Sequence, residues 1–219
     1  MRVLFLNPNS SVHMTQSITE TARDVLPEAD ILGWTNHDGP PAIQGPKDGE
    51  AAIPGVIAQL DRARDAGVDV IVIACFDDVA LTEARAAAHC PVIGIGQASF
   101  HMAALLGGRF GVVTTVPEAA PVIEANIDAL GFTRLCTGVR PSGLGVLQVE
   151  AGTPPVLDRL AREILAAKED GATSVVLGCA GMARHRAALY GRTGVPLVDG
   201  VRSGAALALG LARLSPARF

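Results

Sequence analysis

No run of eighteen uninterrupted apolar residues occurs in the chain, so nothing in it reads as a membrane-spanning helix. Clusters of lysine and arginine are also missing, and the net charge is −4. Neither nucleic acid nor an anionic membrane surface is an expected partner on these grounds. There is no C-x-x-C, and the four cysteines (Cys75, Cys90, Cys136, Cys179) read as reduced thiols, not as a disulfide framework. The opening MRVLFLNPNS carries four apolar residues before Asn7 and Pro8, too few for a secretory h-region. The expectation is a cytoplasmic protein. The five histidines (His13, His37, His89, His101, His185) lack any H-x-x-x-H-like spacing or Cys/His clustering, which argues against a metal. GIGQAS (94–99) lacks the third glycine of a dinucleotide loop, and no acid is suitably placed beyond it. No cofactor is implied.

What is present is a chain of 219 residues, 49% hydrophobic and 18% charged, rich in glycine. That balance describes a well-packed α/β protein. Short β-branched runs alternate with helical stretches. Strands are expected at 2–7, 30–36, 68–74, 91–96, 109–115, 133–138, 173–178 and 196–200. Helices are expected at 12–25, 49–66, 81–88, 97–107, 117–130, 154–170, 180–190 and 201–213. Such alternation signals mostly parallel sheets covered by helices. The Pro/Gly-rich stretch HDGPPAIQGPKDG is long enough to act as a lid. Trp34 and residues 37–47 either shape a side-chain pocket or are ordinary loop residues.

The chain also repeats itself. GVDVIVIACFD and GATSVVLGCAG each place a cysteine eight positions after a glycine, with a buried-strand pattern between. RVLFLNPNS from Arg2 has a counterpart in RFGVVTTVP from Arg109. Each cysteine is followed at a similar interval by a proline-led strand, PVIGIG and PLVDG. A half-length duplication accounts for these landmarks. The expected fold is α/β, with two pseudo-symmetric lobes, each a parallel-rich four-stranded sheet flanked by helices. The first lobe would comprise 1–95 plus 197–219 and the second 96–196, with the active site in the cleft between them. Ligands bind outside the carboxyl ends of strands in open α/β sheets. Asn7–Ser10, Cys75–Asp78, Thr114–Thr115 and Cys179–Gly181 should therefore converge on that cleft.

Cys90 and Cys136 lie away from the strand ends and read as small buried hydrophobes. Cys75 and Cys179 each precede a helix, whose N–H groups should lower a thiol pKa. Ala180 and Gly181 leave room for a substrate to approach the backbone. Redox and metal chemistry are poorly supported, which leaves acid–base work at carbon. One thiolate would take a proton from a stereocentre and the opposite thiol would return one to the other face. Asp77 or Asp78 either N-caps the helix at 81–88 or accepts a ligand N–H and raises the pKa of Cys75.

The phrases LNPNSSVHMT, VIACFDD, PVIGIGQA, VVTTVP, SVVLGCAGM and GVPLVDGV resemble the hydantoin racemase branch of the aspartate/glutamate racemase superfamily. The resemblance implies a cofactor-independent, two-lobed isomerase with Cys75 and Cys179 as its two bases. It implies that Asn7, Ser10, Thr114 and Thr115 hold substrate oxygens and nitrogens, and that the enzyme is a homo-oligomer. Phe76 and Asp77 follow the first cysteine where amino-acid racemases tend to carry Asn-Thr, and Ala180 follows the second in place of Thr. The expected substrate is accordingly a small neutral one, a 5-substituted hydantoin or the ureide allantoin. Aspartate or glutamate racemisation, decarboxylation or isomerisation on the same scaffold, and a small-molecule sensor, stand as alternatives.

Overall fold

VIVI (70–73) and SVVL (174–177) are buried at every residue, as expected of strands covered on both faces by helices. They are central strands of two sheets in the computed structural model, which describes residues 1–214. The first half runs β1 (Arg2–Asn7), α1 (Val12–Val25), β2 (Asp30–Thr35), α2 (Pro46–Ile57), α3 (Leu60–Asp65), β3 (Val70–Ile73), α4 (Leu81–Ala87) and β4 (Val92–Gly94). After α5 (Ile95–Leu105) the second half begins with β5 (Phe110–Thr114), α6 (Ala120–Ala129) and β6 (Cys136–Pro141). It continues with α7 (Val146–Ala151), α8 (Pro154–Glu169), β7 (Ser174–Leu177), α9 (Arg186–Thr193) and β8 (Leu197–Asp199), and α10 (Gly200–Leu214) follows. The strand orders are β2-β1-β3-β4 and β6-β5-β7-β8, parallel throughout. The two halves therefore share one topology, and each carries its cysteine two residues beyond its third strand.

Helix α1 shows how sequence fixes an element here. Ser11 accepts a hydrogen bond from the Met14 N–H and caps the start. Met14, Ile18 and Ala22 recur every fourth residue and bury one face. The crossover helices exchange sides: α5 packs on β7 and β8, and α10 packs on β3, α1 and α5. Phe100 of α5 sits between Phe76 (centroids 5.6 Å, edge-on) and Phe110 (6.0 Å, stacked). That aromatic row ties the turn after β3 to the second sheet.

Several expected boundaries move. Residues 197–199, expected in the first lobe, are the edge strand of the second sheet, so the chain returns to the first half at Gly200. The remainder of that expected segment, 215–219, lies outside the described residues. The helix expected at 49–66 is two helices that part at Ala58 and Gln59, and the first of them starts early, at Pro46, and carries Pro54 and Gly55 within it. Residues 117–130 begin as a 3-10 turn at Pro117–Ala119, and 180–190 as another at Ala180–His185. The sixth strand starts at Cys136, three residues late. Gly138, at φ 144°, bulges against β5 and breaks the period-two pattern. Cys90 and Cys136 are half-buried, not fully buried.

Candidate active site

The carboxyl ends of β1, β3, β5 and β7 meet at one narrow, partly open cavity. Its volume is ≈ 30 Å³, room for about two waters. From the first half it is lined by Asn9, Met14, Ile43, Cys75, Phe76 and Asp77, and from the second by Thr114, Thr115, Val146, Cys179 and Ala180. Both thiols face the same space.

Each cysteine is held by its own strand end. Gly178 donates its N–H to Val113 O at 2.7 Å, and its carbonyl accepts the Thr114 hydroxyl at 3.0 Å. A Cβ there would lie 2.8 Å from Val113 O, so only glycine fits before Cys179. On the other side Ala74 N–H bonds to Leu6 O, continuing the sheet into Cys75. Asn126 from α6 donates to Asp77 O at 3.0 Å, a cross-link from the second half. Asp78 accepts the N–H groups of Gly96 (2.9 Å) and Gln97 (2.7 Å). It therefore caps α5, not α4. The cap position of α4 is Ala80, whose backbone is left-handed and whose side chain makes no capping bond.

The thiols are not acidified. Burial, then the Asp77 charge, pushes the Cys75 pKa well above the ordinary value, against one opposing N–H from Asp77. Burial lifts Cys179 to about 12 although Gly181 and Met182 turn their N–H groups toward it. The expected acidifying donors are present on Cys179, and desolvation outweighs them. Burial also raises Asp77 and Asp78 to about 7. Cys90 is raised to about 11 by burial and Asp69.

Asn7 and Ser10 lie outside the cavity lining. The buried Asn7 amide donates to Asn9 Oδ1, Ser11 O and Thr15 Oγ1 and so ties the turn to α1. Asn9 takes the place expected for them. Its oxygen is occupied by Asn7 Nδ2 and Ser11 N, which fixes the amide's orientation. Among the described residues its Nδ2 has one hydrogen-bond acceptor, the Met14 thioether at 3.3 Å, a weak one. The signal was a second asparagine in LNPNS. Gly181 also stands outside the lining and acts through its N–H. Trp34 stacks under Arg62 on β2, away from the site, whereas Ile43 brings the expected lid into it. Among the described residues no group of three or more His, Cys, Asp or Glu is arranged to hold a metal ion. No described helix is long and apolar enough to cross a membrane.

The family model for Asp/Glu/Hydantoin racemase matches residues 3–208. The chain belongs to that family. It is an isomerase of the racemase class. A hydantoin racemase of Rhizobium meliloti is 40% identical over 210 residues, 95% of this chain and 87% of that protein. One from Pseudomonas sp. (strain NS671) is 34% identical over 206 residues, 93% and 83% of the two chains. Allantoin racemase from Klebsiella pneumoniae superposes with a TM-score of 0.94 at 38% identity, covering 100% of this chain and 90% of that one. Arylmalonate decarboxylase matches with a TM-score of 0.71 at 16% identity and shares the fold alone.

Proposed function

We propose that this racemase inverts C5 of 5-substituted hydantoins, or the equivalent carbon of allantoin, with Cys75 and Cys179 acting from opposite faces. The observation that carries the reading is the shared cavity, lined by two thiols at equivalent strand ends of two like half-chains. In one turnover a thiolate takes the C5 proton and the electron pair moves onto the adjacent carbonyl oxygen. The opposite thiol then delivers its proton to C5, and the charge states of the two sulfurs are exchanged. A thiol with a pKa near 12 yields a scarce but strongly basic thiolate, suited to a weak carbon acid.

The lining favours a neutral ring over an amino acid. It contains the Asp77 carboxyl and no lysine, arginine or histidine. A substrate carboxylate would meet no counter-ion there. Asn9 Nδ2 is placed to hold a ring carbonyl and the charge that grows on it. Asn9→Ala is expected to lower kcat/KM about a hundredfold, as loss of one oxyanion donor does. Asn9→Asp should be no better, because it removes the N–H. Full activity in both would remove Asn9 from the site.

The reaction itself is tested in deuterated water by NMR and polarimetry. Deuterium should enter C5 as optical rotation decays. Turnover of aspartate without hydantoin or allantoin exchange would reassign the substrate.

A further inference from the structure

The cavity holds about two waters, less than a hydantoin ring needs, so part of its wall must move to admit substrate. The candidate wall is α7. It holds the place in the second half that α2 holds in the first, directly after the second strand, and it puts Val146 in the cavity lining. Glycines bound it. Gly143 (φ 76°) and Gly145 precede it and Gly152 (φ 59°) ends it, and a Cβ at Gly143 would touch nothing. Gly143 and Gly152 hold the left-handed backbone that absorbs large dihedral changes cheaply.

Two polar links tie α7 to the first half. Val146 N–H donates to Gln44 Oε1 of the lid at 2.9 Å. At the other end Glu150 Oε1 accepts from His13 Nδ1 of α1 at 2.7 Å. The Glu150 side chain is only 6% exposed, whereas that of His13 is 67% exposed. A carboxylate so buried would pay heavily without its partner. The same residue reaches the chemistry from behind. A Cβ on Gly181 would lie 3.2–3.4 Å from the Cβ, Cα and N of Glu150, and Gly181 presents its N–H to Cys179. His185 Nε2 donates to Glu150 O at 3.0 Å and steadies the far end.

We propose that His13 and Glu150 are positioning residues. Joined, they hold α7 down on the cavity and against the Cys179 turn; parted, they let α7 swing on its glycines and admit substrate. The proposal rests on the reading of this cavity as the active site, but its test needs no substrate. The rate of alkylation by iodoacetamide is measured at each cysteine by peptide mass spectrometry. Cys90 and Cys136 serve as references remote from α7.

In His13→Ala, Cys75 and Cys179 should be alkylated about tenfold faster, the factor expected from loss of one charged hydrogen bond, with the references unchanged. His13→Gln keeps a donor and should restore most of the protection. Glu150→Ala, which removes the acceptor, should behave like His13→Ala or more so. Since His13 is largely exposed, its variants should fold even where a Glu150 variant does not. On a racemised substrate His13→Ala should raise KM more than it lowers kcat. Unchanged labelling of the cavity thiols, or equal acceleration of all four cysteines, would overturn the proposal. Faster labelling with no hydantoin or allantoin turnover would keep the gate and discard the reaction.

Discussion

Serine at either cavity cysteine is expected to reduce racemisation about a thousandfold, the usual contribution of a positioned general acid or base. Serine fills nearly the same space, so the cavity persists, but its hydroxyl is too weak an acid to supply an anion near neutral pH. The informative result is what remains. In Cys75→Ser, Cys179 still reaches one face of the substrate, removes that proton, and returns a deuteron from solvent to the same face. One enantiomer then exchanges with retention and the other is inert. Cys179→Ser should show the opposite selectivity. Chiral chromatography with mass detection reads both. If the two variants exchange the same enantiomer, or either keeps near-full racemisation, the two-base assignment fails. Because Gly178 and the Ala74–Leu6 bond belong to the strands and not to the thiols, the substitutions leave the strand ends in place.

Much of this arrangement was legible in the sequence because strands buried on both faces write continuous apolar runs. VIVI and SVVL, each three residues after a glycine at positive φ (Gly67 and Gly171), gave the repeat and placed both cysteines at strand ends. What stayed hidden depends on non-local or dihedral information. Helix α7 spans six residues between glycines, too short to show a helical period, and its lone acid Glu150 was the sole hint. Whether Asn7 or Asn9 turns into the cavity depends on the path of the turn and on Thr15 one helical turn away. Asp78 caps α5 instead of α4 because its own backbone is left-handed, at φ 53°, which no local composition shows. The thiol pKa values went the other way for the same reason. Local sequence places the N–H donors beside Cys179, but the desolvation that outweighs them comes from elements distant in the chain.

The same desolvation makes the pH dependence a sharp test of Asp77. Below the pKa of the pair, thiolate rises tenfold per pH unit, so kcat/KM should climb with pH without levelling at the free-cysteine value of about 8.5. Asp77 titrates within that climb, at about 7. Its ionisation raises both Cys75 and Cys179, since its charge acts on each. In the wild type the slope of log(kcat/KM) should therefore dip as pH passes 7 and recover above it. Asp77→Asn keeps an acceptor oxygen toward a ring N–H and removes the charge. The two profiles should coincide below pH about 6, where Asp77 is protonated anyway, and separate above 7 with the variant faster by about tenfold. A variant slower at every pH would instead make the carboxylate a direct ligand of the substrate. Stability follows the same proton. Asp77 and Asp78 are both lifted by burial from 3.8 to about 7, so the folded chain binds these protons more tightly than the unfolded one. Their contribution is full below about pH 4 and is lost as pH rises through 7. Asp77→Asn should accordingly reduce the loss of stability between about pH 4 and pH 7, a change that thermal melts at matched ionic strength resolve independently of any substrate.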